Sequence, residues 1–173
     1  EALAGTGCGD AVKALAAVVR DKNDTACVRK RAAKALAGTG NGHAVKALAT
    51  VVQDLGDELD LREVVAEALA GTGNGHAVKA LAAVVRNKND TVCVRKRAAE
   101  ALAGTGNGHA VKALATVVQD LGDELDLREV VAEALAGTGC GDAVKALAAV
   151  VRDKNDTACV RKRAAKALAG TGN

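Results

Sequence analysis

The chain of 173 residues contains no Phe, Trp, Tyr, Met or Pro, and neither Ile nor Ser occurs in it. Each absence excludes something. Without aromatic rings there is nothing to stack on an unpaired base and no large anchor for a deep interface pocket, the usual centres of tight recognition. A core must then be built from Ala, Val and Leu, which favours slender helices packed close together. Long apolar runs are missing too, because the longest of them are interrupted by Lys well short of the roughly 20 residues that a membrane-spanning helix needs. Five Cys, an odd number with no C-x-x-C pair, predict free thiols and a reducing, cytoplasmic setting. No signal-peptide pattern opens the chain, and the missing initiator Met is expected of a processed or excised end.

What the chain has in abundance is repetition. The hexapeptide Ala-Leu-Ala-Gly-Thr-Gly begins at Ala2, Ala35, Ala68, Ala101, Ala134 and Ala167, always 33 residues apart. Residues 1–7 read as the tail of one unit, and five units follow at 8–40, 41–73, 74–106, 107–139 and 140–172. The second and fourth are identical, as are the first and fifth, and the third differs little from these, so the full period is 66 residues. Such a chain is expected to be a single repeat domain whose units bury their apolar faces only against neighbours.

Within the second unit, Val45, Leu48, Val52 and Leu55 recur at helical spacing and predict a first helix, with Asn41 as N-cap. Gly56 is expected to end it in a left-handed conformation, with Asn23 the counterpart in the first unit. A second helix is predicted from Asp57 as cap, with Leu61, Val65 and Leu69 inward and Gly71 at its end; in the first unit Val28, Ala32 and Leu36 take the inward places. Each helix of about 13 residues would be about 20 Å long.

These residues resemble a known family. The runs AEALAGTGNGHAVKALATVVQD (Ala99–Asp120) and VRKRAAKAL (Val28–Leu36) are similar to HEAT-like repeats of the phycobilisome bilin-lyase type, across the whole chain. The resemblance implies an all-α, right-handed α-solenoid of five helical hairpins, with the second helices lining the concave side. It also implies a protein-binding scaffold in most cases and bilin attachment in a few. The link between the helices is about two residues longer than the family pattern, and the common Pro at the second-helix start is missing.

Charge alternates by unit. Residues 8–40 carry seven basic against three acidic side chains, and residues 41–73 two against six, so units alternate between +4 and −4 and the chain nets +3. With Val28, Ala32 and Leu36 inward, Cys27, Lys30 and Lys34 share the outward face of the second helix. Their counterparts are Asp60, Glu63 and Glu67, then Cys93, Lys96 and Glu100, then Asp126, Glu129 and Glu133, then Cys159, Lys162 and Lys166. Long side chains on helices roughly 8–10 Å apart can meet across units, and the alternation would set register, since a slip of one unit brings like charges together. This row is the candidate binding surface. The recurrent Arg29, Arg62, Arg95, Arg128 and Arg161 are expected to bridge to Asp21, Asp54, Asp120 and Asp153 at the first-helix ends.

Other patterns carry less. The arginine–lysine tracts of the second helices do not make a nucleic-acid groove, because acidic units interrupt them and no aromatics interleave. Gly-Thr-Gly-Asn-Gly lacks the strand and the Lys-Ser/Thr of a phosphate loop and predicts a tight turn. His43, His76 and His109 would lie roughly 10 Å apart by helix spacing, too far for one metal with ligands at about 2 Å, and the His-Glu dyads of HEAT-type di-iron hydroxylases are absent. Cys8 and Cys140 occupy first-helix N-cap positions with no base beside them, so no catalytic residue, metal or cofactor is expected. The sequence thus predicts a non-enzymatic interaction or structural scaffold with a protein partner, or self-association through uncapped ends marked by Leu3 and the last Val and Leu residues. Nucleic acid and membrane are not expected partners. The alternative, implied by the resemblance alone, is a chromophore-handling protein related to bilin lyases.

Overall fold

A computed structural model describes residues 9–171. The described residues hold ten helices and no strand: α1 (Gly9–Arg20), α2 (Ala26–Gly38), α3 (Gly42–Gln53), α4 (Leu59–Ala70), α5 (Gly75–Arg86), α6 (Val92–Gly104), α7 (Gly108–Gln119), α8 (Leu125–Gly137), α9 (Gly141–Arg152) and α10 (Ala158–Gly170). Every helix touches only helices one or two places away in sequence. Odd-numbered first helices form one layer, even-numbered second helices the other. The fold is therefore an all-α solenoid of hairpins, as the sequence predicts, with a core that runs along the stack instead of gathering at a centre.

That core is made of Ala, Val and Leu. Leu36, Leu48, Leu61, Leu69, Leu81, Leu102, Leu114 and Leu127 are fully buried, and Val45, Val52 and Val65 join them. Two expected core members fall outside it. Leu55 is 51% exposed because α3 already ends at Gln53, which leaves Leu55 in the turn. Val28 is 43% exposed although its counterparts Leu61, Val94, Leu127 and Val160 are fully buried. No described helix precedes α1 and α2 in the stack, whereas each counterpart lies in a unit with a described unit before it. Leu3 and Cys8 lie outside the described residues.

The helix ends show what the hexapeptide does. Each Thr after the second helix turns its hydroxyl back to donate to the last-turn Leu carbonyl: Thr39 to Leu36 at 2.6 Å, Thr72 to Leu69 at 2.7 Å, Thr105 to Leu102 at 2.6 Å. The following glycines, Gly40, Gly73, Gly106 and Gly139, have φ near +60°, where a Cβ costs energy. The Asn41, Asn74 and Asn107 side chains then accept from the N–H groups of His43, His76 and His109 at 2.8 Å, starting the next first helix.

Two boundary expectations are corrected. Gly56 does not have positive φ, nor does Asn23. A Cβ on Gly56 would sit 3.3 Å from Asp54 Oδ1 and 3.4 Å from Lys22 Nζ, so glycine there leaves room for an ion pair from the neighbouring unit. Gly122 does the same beside Asp120 and Lys88. The N-cap of α4 is Glu58, not Asp57, because Asp57 is committed elsewhere.

Candidate interaction surface

Buried ion pairs fix how successive hairpins sit. Arg29 is 2% exposed; its Nε donates to the Val19 carbonyl of its own unit at 3.0 Å, and its two terminal nitrogens reach Asp57 of the next unit at 2.7 and 2.6 Å. Arg62 pairs with Asp90 and the Val52 carbonyl, and Arg128 with Asp156 and the Val118 carbonyl, in the same way. Arg95 divides its fork between Asp123 at 2.6 Å and Glu124 at 2.7 Å. The expected bridges to Asp54 and Asp120 do not form. Those carboxylates lie at the far edge of the turn and take Lys22 and Lys88 at 2.7 Å instead. The arginine and its tying function are legible in the sequence, but the partner is the Asp just before the N-cap of the next unit's second helix, 28 residues on.

The fork geometry matters electrostatically. Burial, the largest single influence, pushes the Asp156 carboxyl up, yet the Arg128 guanidinium and the Thr157 N–H outweigh it and hold it below the usual value. Asp123 is likewise held down against burial, chiefly by Arg95, with the Glu124 backbone N–H donating to it as well. Lys22 and then the Gly56 N–H lower Asp54, and Lys88 and the Gly122 N–H lower Asp120. The Asp57 hydrogen bond raises Arg29. No fully buried side-chain nitrogen or oxygen among the described residues lacks a partner.

Along the second-helix layer these bridges leave a series of open grooves. Between α2 and α4, a groove of about 350 Å³ has Ala37, Gly38, Val64, Ala68 and Gly71 as its floor, with Lys34 and Glu67 on its rims. Its equivalent between α6 and α8, about 390 Å³, is rimmed by Glu100 and Glu133. Between α8 and α10, about 270 Å³ lies between Glu133 on one side and Arg163 and Lys166 on the other. Small residues make the space: a Cβ on Gly38, Gly104 or Gly137 would meet nothing within 4 Å.

The predicted row thus lies on one face, though not paired as expected. Lys30 reaches Asp60 at 3.3 Å and Lys96 reaches Asp126 at 3.4 Å, one turn short of Glu63 and Glu129, because stacked helices are offset. Arg163 pairs with Glu129 at 3.2 Å and Glu133 at 2.5 Å. Its counterpart Arg97 is held by Glu100 in its own helix at 3.0 Å, a residue replaced by Lys166 in the last unit. Cys159 and Lys162 line a further hollow of about 310 Å³ with Glu129, Arg163 and Lys166, and Cys27 and Cys93 are exposed free thiols. Sequence reasoning missed Arg163 and the small-residue floor; the Ala and Gly that end every second helix were the signal, read only as a turn. His43, His76 and His109 are exposed, and the described residues contain no group of three side chains able to hold a metal. Among them no helix is long and apolar enough to cross a membrane.

The geometry defines a class: HEAT-like helical-repeat proteins. Two solved structures of that class are similar to this chain. Human deoxyhypusine hydroxylase in complex with glycerol matches with a TM-score of 0.66 and 19% identity, over 98% of this chain and 76% of that one. The complex of CpcE and CpcF of phycocyanin lyase from Nostoc sp. PCC7120 matches with a TM-score of 0.62 and 25% identity, over 92% of this chain but only 64% of that one. No family model matches the chain, and a search of curated proteins finds no relative. The expectation of a non-enzyme is overturned by these neighbours. A hydroxylase and a lyase share the fold, so the fold is no ground for excluding enzymatic work.

Proposed function

We propose that the chain is a HEAT-like scaffold that binds an elongated protein partner along its second-helix face. The observation that carries this reading is the recurrence of one groove shape, with a small-residue floor and charged rims, between successive second helices. Lys34, Glu67, Glu100, Glu133 and Lys166 give the rims an acidic middle between basic ends, which suits a partner that is basic at its centre and acidic toward its ends. Charged rims of this kind select a partner and set its register more than they add affinity. The likeness to the CpcE–CpcF complex, itself an assembly of two proteins, supports a protein partner.

Cys93 offers a direct test, because it is exposed at the middle of the face. A thiol-linked photo-crosslinker at Cys93, in a background with the other cysteines changed to Ala, is expected to trap a discrete partner that Glu67→Lys and Glu133→Lys weaken. Equal trapping from a probe moved to Lys79→Cys, on the opposite layer, would sink the reading. The same likeness favours a second one, the handling of a bilin chromophore on this face. Titrating a free bilin and finding no change in its absorbance would remove it.

A further inference from the structure

The opposite layer has a different electrostatic character. Lys13 recurs every 33 residues as Lys46, Lys79, Lys112 and Lys145, one exposed lysine on each first helix. Arg20, Arg86 and Arg152 add an exposed guanidinium at the C-terminal end of alternate first helices. α3, α5 and α7 carry no carboxylate at all, and Asp10 and Asp142 are the only ones on α1 and α9. Only Lys13 and Lys145 are engaged, by those two residues at 3.3 and 3.4 Å. Acidic side chains gather instead in the turn beyond the layer's edge, where Lys22 and Lys88 hold Asp54 and Asp120. Summing charge by unit conceals this: the second helices alternate in sign, whereas each first helix is positive.

The face has cations but no anchor. Its groove between α1 and α3, about 300 Å³, is lined by Lys13, Arg20, His43, Lys46 and Thr50 over a floor of Val12, Ala16 and Ala47. Among the described residues the large exposed apolar side chains all lie elsewhere, at Val28, at Leu55 and Leu121 in the turns, and at Leu59 and Leu125 where α4 and α8 begin. Protein interfaces favour aromatic anchors and are poor in lysine, and a membrane-surface helix buries apolar side chains; this layer has no aromatic ring, a lysine on every helix and no large exposed apolar side chain. A row of lysines at roughly 8–10 Å intervals, on helices about 18 Å long, recognises regularly spaced negative charge instead of shape. We propose that the first-helix layer binds the phosphate backbone of duplex nucleic acid without reading its sequence. The duplex is favoured over a single strand because there is no aromatic ring on which an unpaired base could stack. The row is about as long as one turn of duplex, roughly 34–36 Å. The second-helix tracts excluded from this role by sequence remain excluded, because their charges alternate and pair.

The test is fluorescence anisotropy with a labelled duplex of about two helical turns, titrated with the intact chain across salt from about 50 to about 200 mM. Four to six phosphate contacts predict a loss of affinity of roughly a hundred- to a thousandfold over that range. The triple variant Lys46→Gln, Lys79→Gln, Lys112→Gln is expected to weaken binding equally for unrelated sequences and to flatten the salt slope by about one per lysine. All three residues are exposed and outside ion pairs, and circular dichroism confirms the fold of each variant. Lys34→Gln with Lys166→Gln, on the other layer, is expected to leave the slope unchanged. No binding at the lower salt, equal loss in both variants, or tighter binding to single strands, to phosphatidylserine vesicles or to polyglutamate would each overturn the proposal.

Discussion

At the scale of single residues, the buried Arg–Asp fork is the most consequential contact. Replacing it with apolar side chains could be neutral, but removing one member leaves an unpaired charge in the core, at a cost of about 3–5 kcal/mol. Asp156→Asn is therefore expected to destabilise the stack by about that amount in denaturant melts. The fork also makes stability depend on acid. The Asp123 and Asp156 carboxyls are held below their ordinary value in the folded chain, so unfolding takes up protons as pH falls. Their contribution is complete above the ordinary Asp range near 3.9 and fades as pH drops through the lower folded-state values. Melting temperature should be flat near neutrality and fall below about pH 4, and Asp156→Asn should show a shallower fall. A steeper fall in the variant would contradict the assignment.

Elements show why the turn chemistry was half legible. Asn41, Asn74 and Asn107 cap the first helices as their sequence position suggests, since an Asn before a helical stripe has one favourable use. The left-handed glycine was misplaced to Gly56, because a glycine after a helix can supply handedness or simply room, and sequence does not distinguish them. Gly40, Gly73, Gly106 and Gly139 supply the handedness. Nothing lies within 4 Å of a Cβ built on Gly73, so its substitution costs are purely those of the backbone. Gly73→Ala should lose about 1–2 kcal/mol and Gly73→Asn distinctly less, measured by chemical denaturation. Equal losses would mean that something other than φ is at stake.

For the whole molecule, nearest-neighbour contact implies that stability is highest mid-stack. α5 and α6 are covered on both sides, whereas α1 and α2 have a described neighbour on one side only, as the exposure of Val28 shows. Hydrogen exchange should be slowest in α5 and α6 and quicken toward α1 and α10, as opening from the ends predicts; uniform exchange along the chain would refute it. The same one-dimensional stacking explains the two unlike surfaces. Repeating a unit copies each side chain to the same layer, so one grooved layer and one basic layer each run the length of the solenoid.

Repetition, helical spacing and the Ala-Val-Leu palette determined the hairpins, their number of residues and their mutual dependence, because local periodicity and composition act within about one helix length. The second-helix row was also legible, since faces follow from helical phase. What only the tertiary structure decided were relations across units: that Arg29 finds Asp57 and not Asp54, and that Lys30 meets Asp60 and not Glu63. Those depend on the offset and separation of stacked helices, which are set by packing between residues about thirty positions apart and leave no mark in any local stretch of sequence.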